Sequence, residues 1–410
     1  METPERFSIL FVYTTMPCPA TDGGKIRVLN LIRHLSRIHR VTFLCFNVSP
    51  TDEQGAKYLR EMGIEVLMVR WEQNKPTTVL RSLAQRKPLT VAKYHSPEMV
   101  ENMKNLLGSR KFEIIHFEMI HAGQFLSDIP VKREVKTVLG EQNIDSDVWH
   151  RLARTEQNLL KKLIFYLQYR SFMNYESRIC GRFDVCICVS KEDSNKLALS
   201  CPDKAIEVVP NGVDMDYYEP GDVEEDEARI VFTGSMDWQP NEDAVLYFCH
   251  HIFPLIKAKL PNIIFYIVGS NPTDRVLKLR EMQGVIVTGF VEDVRPYMAN
   301  AAVYVVPLRV GGGTRLKILE ALAMKKAVIS TAIGCEGLDL QPDKHLLVAD
   351  DPRQFADGIV QLIEDRSLRR RLGEDGRVFV RERYDWKAVV NMLDRVYRDL
   401  IRGKLTGLPM

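Results

Sequence analysis

Residues 309–323 read RVGGGTRLKILEALA, and the fold follows from this stretch. An apolar, β-branched run at 303–306 precedes it and is closed by Pro307. Such a run, then a glycine-rich loop, then a segment of helical periodicity, spells strand, turn and helix. Thr314 has the side chain of a helix N-cap. Backbone N–H groups at a helix start, together with the helix dipole, attract an anion. Arg315 and Lys317 add the positive charge a diphosphate would need. Between Leu316 and Ala323 the polar residues are Lys317 and Glu320, three apart and so on one face. They either pair internally or meet a ligand. The glycines, Gly312 and Gly313 among them, favour the ligand, and Glu320 is placed for a ribose diol one helical turn beyond the phosphates.

The same alternation extends in both directions. Apolar strand patterns occur at 8–13, 41–46, 65–70, 113–117, 136–139, 185–190 and 207–209, and again at 230–233, 264–268, 285–288, 303–306 and 328–331. Continuous apolar strands separated by helical segments predict parallel sheets covered on both faces. A punctuated stretch separates the two series: Pro210-Asn211-Gly212, Glu219-Pro220-Gly221, then an acidic run at 222–227. It reads as an exposed linker. The fold class is therefore α/β with two Rossmann-like domains, at 1–218 and 219–385, followed by a helix within 386–410.

A chain of 410 residues exceeds one ordinary core of roughly 100–200 residues. With 45% hydrophobic and 27% charged residues it has the composition of a globular protein. A net charge of +2 argues against a nucleic-acid partner. The eight cysteines form no Cys-x-x-Cys pair, so reduced core thiols are expected, with no zinc site or disulfide framework. The N-terminus has no signal-peptide pattern, and no apolar run approaches the roughly 20 residues that cross a bilayer. This places the chain in the cytoplasm. Residues 151–182 carry seven basic and two acidic side chains among Leu, Ile, Phe and Tyr. Such a helix suits peripheral contact with an anionic membrane, and equally a solvated basic face over a buried stripe.

A second glycine loop, Asp22-Gly23-Gly24-Lys25, follows the first strand. Glycines beyond a strand's carboxyl end let a backbone approach a phosphate or sugar. The loop fits neither G-x-G-x-x-G nor the phosphate-loop pattern, which argues against a dehydrogenase and a P-loop NTPase. Glu141-Gln142-Asn143 follows another strand, where Asn143 is either an acceptor contact or part of a polar turn. His116, within a strand, reads as a buried, satisfied histidine. His250-His251 has no acidic partner at metal spacing.

Taken in order, these motifs resemble the retaining glycosyltransferases of the GT-B fold, in the large family 4 group. The matching residues are Gly23-Gly24, VCICVSKED (185–193), VVPNGVDMDYY (208–218), IVFTGSMDW (230–238), YIVGS (266–270), VTGFVEDVRPYM (287–298), GGGTRLKILEALAMKKAVIST (311–331), GCEGL (334–338) and YDWKAV (384–389). The resemblance implies an active site in an interdomain cleft and a last helix that crosses back onto the first domain. Gly24 would lie near the donor diphosphate, Phe290 and Val291 would border the base, Glu320 would hold the ribose, and Arg315 and Lys317 would face the diphosphate. It also implies metal-independent, retaining transfer from a nucleoside-diphosphate sugar, with no cofactor, to a glycan or lipid-linked acceptor. Three departures stand out. Gly312 replaces the family's first glutamate; the segment 234–244 lacks the usual Arg and Lys, for which Arg315 and Lys317 would compensate; and HFEMIHAG (116–123) puts Glu118 at the family's histidine position, with His121 nearby, to orient acceptor or sugar. An epimerase on the same fold, or a non-catalytic nucleotide-sugar binder, fits the same motifs.

Overall fold

Short runs of Ile, Val and Phe build thirteen parallel strands among the described residues of the computed structural model, which are 5–71, 78, 82, 87–156, 158–221, 223–310 and 314–405. The chain divides into two units, residues 1–210 with 390–410, and residues 211–389.

The first unit is a seven-stranded sheet. Its strands are β1 (Ser8–Val12), β2 (Arg40–Asn47), β3 (Glu65–Arg70), β4 (Ile114–Glu118), β5 (Lys136–Glu141), β6 (Val185–Cys188) and β7 (Ile206–Val208), in the order β3-β2-β1-β4-β5-β6-β7. β1, β4 and β6 are apolar and buried almost throughout because helices cover both faces of the sheet. The order reverses at β1, between β2 and β4, which leaves a crevice at the carboxyl end of β1 where ligands bind in open α/β sheets. Residues 390–401 of the helix Trp386–Ile401 pack in this unit: Asp394 meets His39 at 2.8 Å, and the Tyr397 hydroxyl meets His116 Nδ1 at 2.7 Å.

The second unit holds β8 (Asp226–Thr233), β9 (Ile264–Val268), β10 (Val285–Gly289), β11 (Ala301–Val306), β12 (Ala327–Ser330) and β13 (Leu347–Val348), ordered β10-β9-β8-β11-β12-β13. It has the same doubly wound logic, with the reversal at β8. β13 has only two residues and no pattern that sequence periodicity detects.

The acidic run is not a free linker. Glu225 receives Lys326 Nζ at 2.5 Å and lies 3.4 Å from Arg369 Nε, and both cations are buried, so the run is pinned by charges that need it. Residues 211–218 belong with the second unit, where Val213 bonds the Tyr384 backbone and Gly212 lies against the Trp386 ring. All eight cysteines are free, seven of them buried and Cys335 half-buried.

Candidate functional site

In the second unit the loops after β8, β9, β10, β11 and β12 carry the quoted motifs. Two glycines let the first two loops meet: a Cβ on Gly269, whose φ is 154°, would stand 1.8 Å from the Gly234 carbonyl oxygen. Gly234 in turn leaves room for a side chain from another element. The Lys317 ammonium lies 3.0 Å from where a Gly234 Cβ would be, donates to Asn241 Oδ1 at 2.8 Å and sits 3.9 Å over the Phe232 ring. Lys317 therefore occupies the end of β8, the place where the sequence lacks a basic residue. Burial pushes its pKa down to about 7, with Glu320 opposing and Arg315 adding to the shift. Arg315 is buried and donates to the Ile333 carbonyl at 3.3 Å, so its guanidinium engages the loop after β12.

The helix of this motif runs from Leu316 to Ala323. Glu320 lies one turn inside it, beside Lys317, and accepts a hydrogen bond from the Tyr218 phenol; burial raises its pKa above the usual carboxylate range, and Tyr218 and Lys317 oppose that rise. Thr314 is not the N-cap. That place falls to Arg315, which makes no side-chain cap bond, because the chain enters the helix one residue later than the sequence suggests. The Thr314 hydroxyl is instead buried with no hydrogen-bond partner among the described residues. Phe290 follows Gly289, whose φ is 78°, and stands 75% exposed, while Val291 packs on the core. Gly312 and Gly313 lie outside the described residues.

In the first unit, Gly23 and Gly24 do not form a loop ahead of the helix. They are its first residues (Gly23–Leu35), capped by Asp22, whose Oδ1 accepts from Lys25 N at 3.0 Å. Gly24 is required by space: a Cβ there would stand 2.8 Å from Gln142 Oε1 and 3.3 Å from the Tyr13 hydroxyl. Gln142 Nε2 donates to Glu118 Oε1 at 3.0 Å. Glu118 is wholly buried and also receives Arg27 Nε at 2.9 Å, while His116 Nε2 lies 2.8 Å from its second oxygen. Burial alone would raise its pKa, but Arg27, His116 and Gln142 hold it down to about 2. His116 is the satisfied buried histidine expected, between Glu118 and Tyr397. Arg27 continues the network to the Pro210 carbonyl at 2.9 Å.

Glu118 is thus held in an ion pair within the protein. His121 is partly buried and edge-on to Tyr94 at 5.6 Å; burial and Lys93 lower its pKa to about 4, leaving a neutral imidazole at neutral pH. Asn143 is half-buried, and the residue that joins the Gly24 turn to Glu118 is its neighbour Gln142. Sequence reasoning also missed Arg27, Asn241 and Tyr218. Arg27 left a signal: it lies on the same helical stripe as Leu31 and Leu35, where an apolar residue belongs.

Two family models match the chain in succession. Residues 21–217 match Glycosyltransferase Family 4, and residues 227–365 match Glycosyl transferases group 1. An uncharacterized 44.6 kDa protein in the cps region of Klebsiella pneumoniae is 20% identical over 94% of this chain and 98% of its own length. A phosphatidyl-myo-inositol mannosyltransferase of Mycobacterium tuberculosis is 29% identical over 46% of this chain, a match spanning 53% of that enzyme. The Anabaena HepE structure, solved with UDP and glucose, superposes with a TM-score of 0.64 at 13% identity, covering 96% of this chain and all of that one.

Proposed function

We propose that this chain, whose residues 21–217 and 227–365 match glycosyltransferase models of family 4 and group 1, is a glycosyltransferase of the GT-B fold that moves a hexose from a nucleoside-diphosphate sugar to a hydroxyl acceptor, with retention and without a metal. The observation that carries this reading is the Lys317 ammonium, held by Asn241 at the end of β8. A preorganised cation in a partly desolvated place stabilises charge that develops in the transition state. Here that charge is the departing diphosphate. Thr314 supports the reading, since a buried hydroxyl without a partner costs about 1–3 kcal/mol and a phosphate oxygen would relieve it.

The remaining roles follow. Glu320, oriented by Tyr218, accepts from the ribose hydroxyls, and Phe290 with Val291 borders the base. The donor contact the sequence assigns to Gly312 and Gly313 lies outside the described residues. Arg315 holds the loop after β12 and adds field. Gly23 and Gly24 present the start of their helix to the donor diphosphate, while Glu118 positions that helix through Arg27 and Gln142. His121 and Asn143 contact acceptor or sugar. The glycosyl–oxygen bond to the diphosphate breaks on the face where the acceptor hydroxyl attacks, and the departing phosphate oxygen takes the hydroxyl proton. The acceptor is a glycan or lipid-linked saccharide; the phosphatidyl-myo-inositol mannosyltransferase and the cps-region relative support that choice.

Calorimetry with a panel of nucleoside diphosphates and nucleotide-sugars, in chelator, tests the donor site. Binding of one base, weakened about tenfold or more (about 1.4 kcal/mol) in Glu320→Ala, is expected. Unchanged affinity in the variant would refute the ribose role. Turnover of the donor to an epimer without acceptor would replace transfer with epimerisation, and binding without turnover on any acceptor would mark a non-catalytic relative.

A further inference from the structure

The helix Leu159–Cys180 is built inside out over its first half. Its second half is conventional, with Phe172, Tyr175, Ile179 and Cys180 in the core. Its first half starts from Asn158, whose Oδ1 caps the N–H groups of Leu160 and Lys161. There Leu159 is 82% exposed, Leu160 69%, Leu167 57%, Leu163 53% and Ile164 47%. At 3.6 residues per turn these five fall within an arc of about 140°. The opposite side is held down by Phe165 against Trp149 at 5.5 Å and Tyr169 over His150 at 4.8 Å. A surface helix normally hides its leucines and shows its charges. This one shows the leucines, so the solvated basic face allowed by the sequence is not what the fold presents.

A contiguous apolar face of this kind marks an interaction surface. Its charge selects the partner. Lys161, Lys162 and Arg170 are exposed at its edges, and no Asp or Glu occurs from residue 157 to 175. A symmetric dimer through this face would bring two sets of these cations together with no carboxylate from 157–175 to offset them, which disfavours a second copy of the chain. Leucines flanked by lysines, with the exposed Tyr166 among them, suit a helix lying at the boundary between acyl chains and anionic headgroups. We propose that the 159–167 face docks this protein on an anionic lipid surface. The helix lies in the interface and does not span it; among the described residues no helix is long and apolar enough to cross a membrane. The proposal rests on this helix alone and holds whatever the donor or acceptor.

Flotation of the full chain with vesicles, without nucleotide, tests it. The chain should float with phosphatidylcholine vesicles containing phosphatidylglycerol far better than with phosphatidylcholine alone, and salt should weaken the binding. Leu163→Glu with Ile164→Glu should reduce partitioning about tenfold or more at an unchanged melting temperature. The milder pair Leu160→Gln with Leu167→Gln serves the same purpose should the first pair melt early. Lys161→Glu with Lys162→Glu should remove the preference for phosphatidylglycerol. Failure of the parent chain to float, flotation unaltered in a folded leucine variant, or a solution dimer that the leucine variants dissolve would overturn it.

Discussion

Lys317 donates to Asn241 across 76 residues of sequence, at 2.8 Å, and this bond places a cation from the helix after β11 at the mouth of β8. The carboxamide also holds the Ser235 carbonyl through Nδ2 at 2.8 Å, so one side chain fixes both the ammonium and the loop that it faces. A charge needed mainly in the transition state should be held in this way.

Replacing Lys317 with alanine should therefore lower kcat by roughly 100-fold or more while changing the donor dissociation constant far less. Asn241→Ala should reproduce part of that loss. Single-turnover rates alongside calorimetric affinities check it; equal losses in both quantities would mean that Lys317 merely docks the donor.

The depressed pKa of Lys317, about 7, gives kcat/KM a pH dependence. The ammonium is charged below that value and increasingly neutral above it. With a nucleotide-sugar, whose phosphates do not titrate in this range, kcat/KM should fall as pH rises from about 7 to 9. Lys317→Arg should flatten the profile. The free protein should respond in the opposite sense, because a lysine with a lowered folded pKa destabilises the fold where it is forced to be charged and ceases to do so as pH rises. A pH-independent kcat/KM for the parent chain would contradict the assignment.

Arg27→Met leaves Glu118 buried without its guanidinium partner, and should cost about 3–5 kcal/mol of stability. Pairing it with Glu118→Gln should restore much of the loss. Glu118 is held at about 2, below its unfolded value, so its contribution is complete above the ordinary carboxylate range and disappears as pH falls toward 2. Thermal melts between pH 2 and 7 should show that acid limb, and the double variant should lack it.

Gly269→Ala would drive a methyl group into the Gly234 carbonyl, where there is backbone and no flexible side chain to yield. A loss of roughly 3 kcal/mol or more is expected, with early melting of the second unit. Gly63→Ala is the control, since a Cβ there meets nothing within 4 Å and carries only the cost of its φ of 80°. Equal stability of the two variants would count against the tight loop contact.

Much of the fold was legible because buried parallel strands are written as unbroken apolar runs. The run at 303–306 sits within β11 as formed, and runs at strand ends shifted by a residue or more where fraying and pairing decide the limit. β13 escaped because two residues carry no period. At the site, Lys317 and Glu320 were visible as polar residues on an apolar helix, whereas Asn241, in the helix Gln239–Tyr247, and Gln142, in a polar turn, were hidden because their partners Lys317 and Glu118 come from distant elements. Thr314 misled because its residue type suits a cap that the backbone begins one position later. The exposed leucines of 159–167 could not be told from a core stripe, since periodicity reports that a face is apolar and says nothing of which way it turns.

The ties from Tyr397 to His116 and from Asp394 to His39 also set an order of assembly. During synthesis β1 to β7 emerge first, yet His116, paired with Glu118, and His39, which accepts from the Phe7 amide, each lack their second ring partner until residues 390–401 have left the ribosome. The second unit, made in between, has all its strands before the first can close. A ribosome-bound chain stalled before residue 390 should therefore carry a finished second unit and a first unit still open to proteases, so the earliest-made half of this protein is the last to become native.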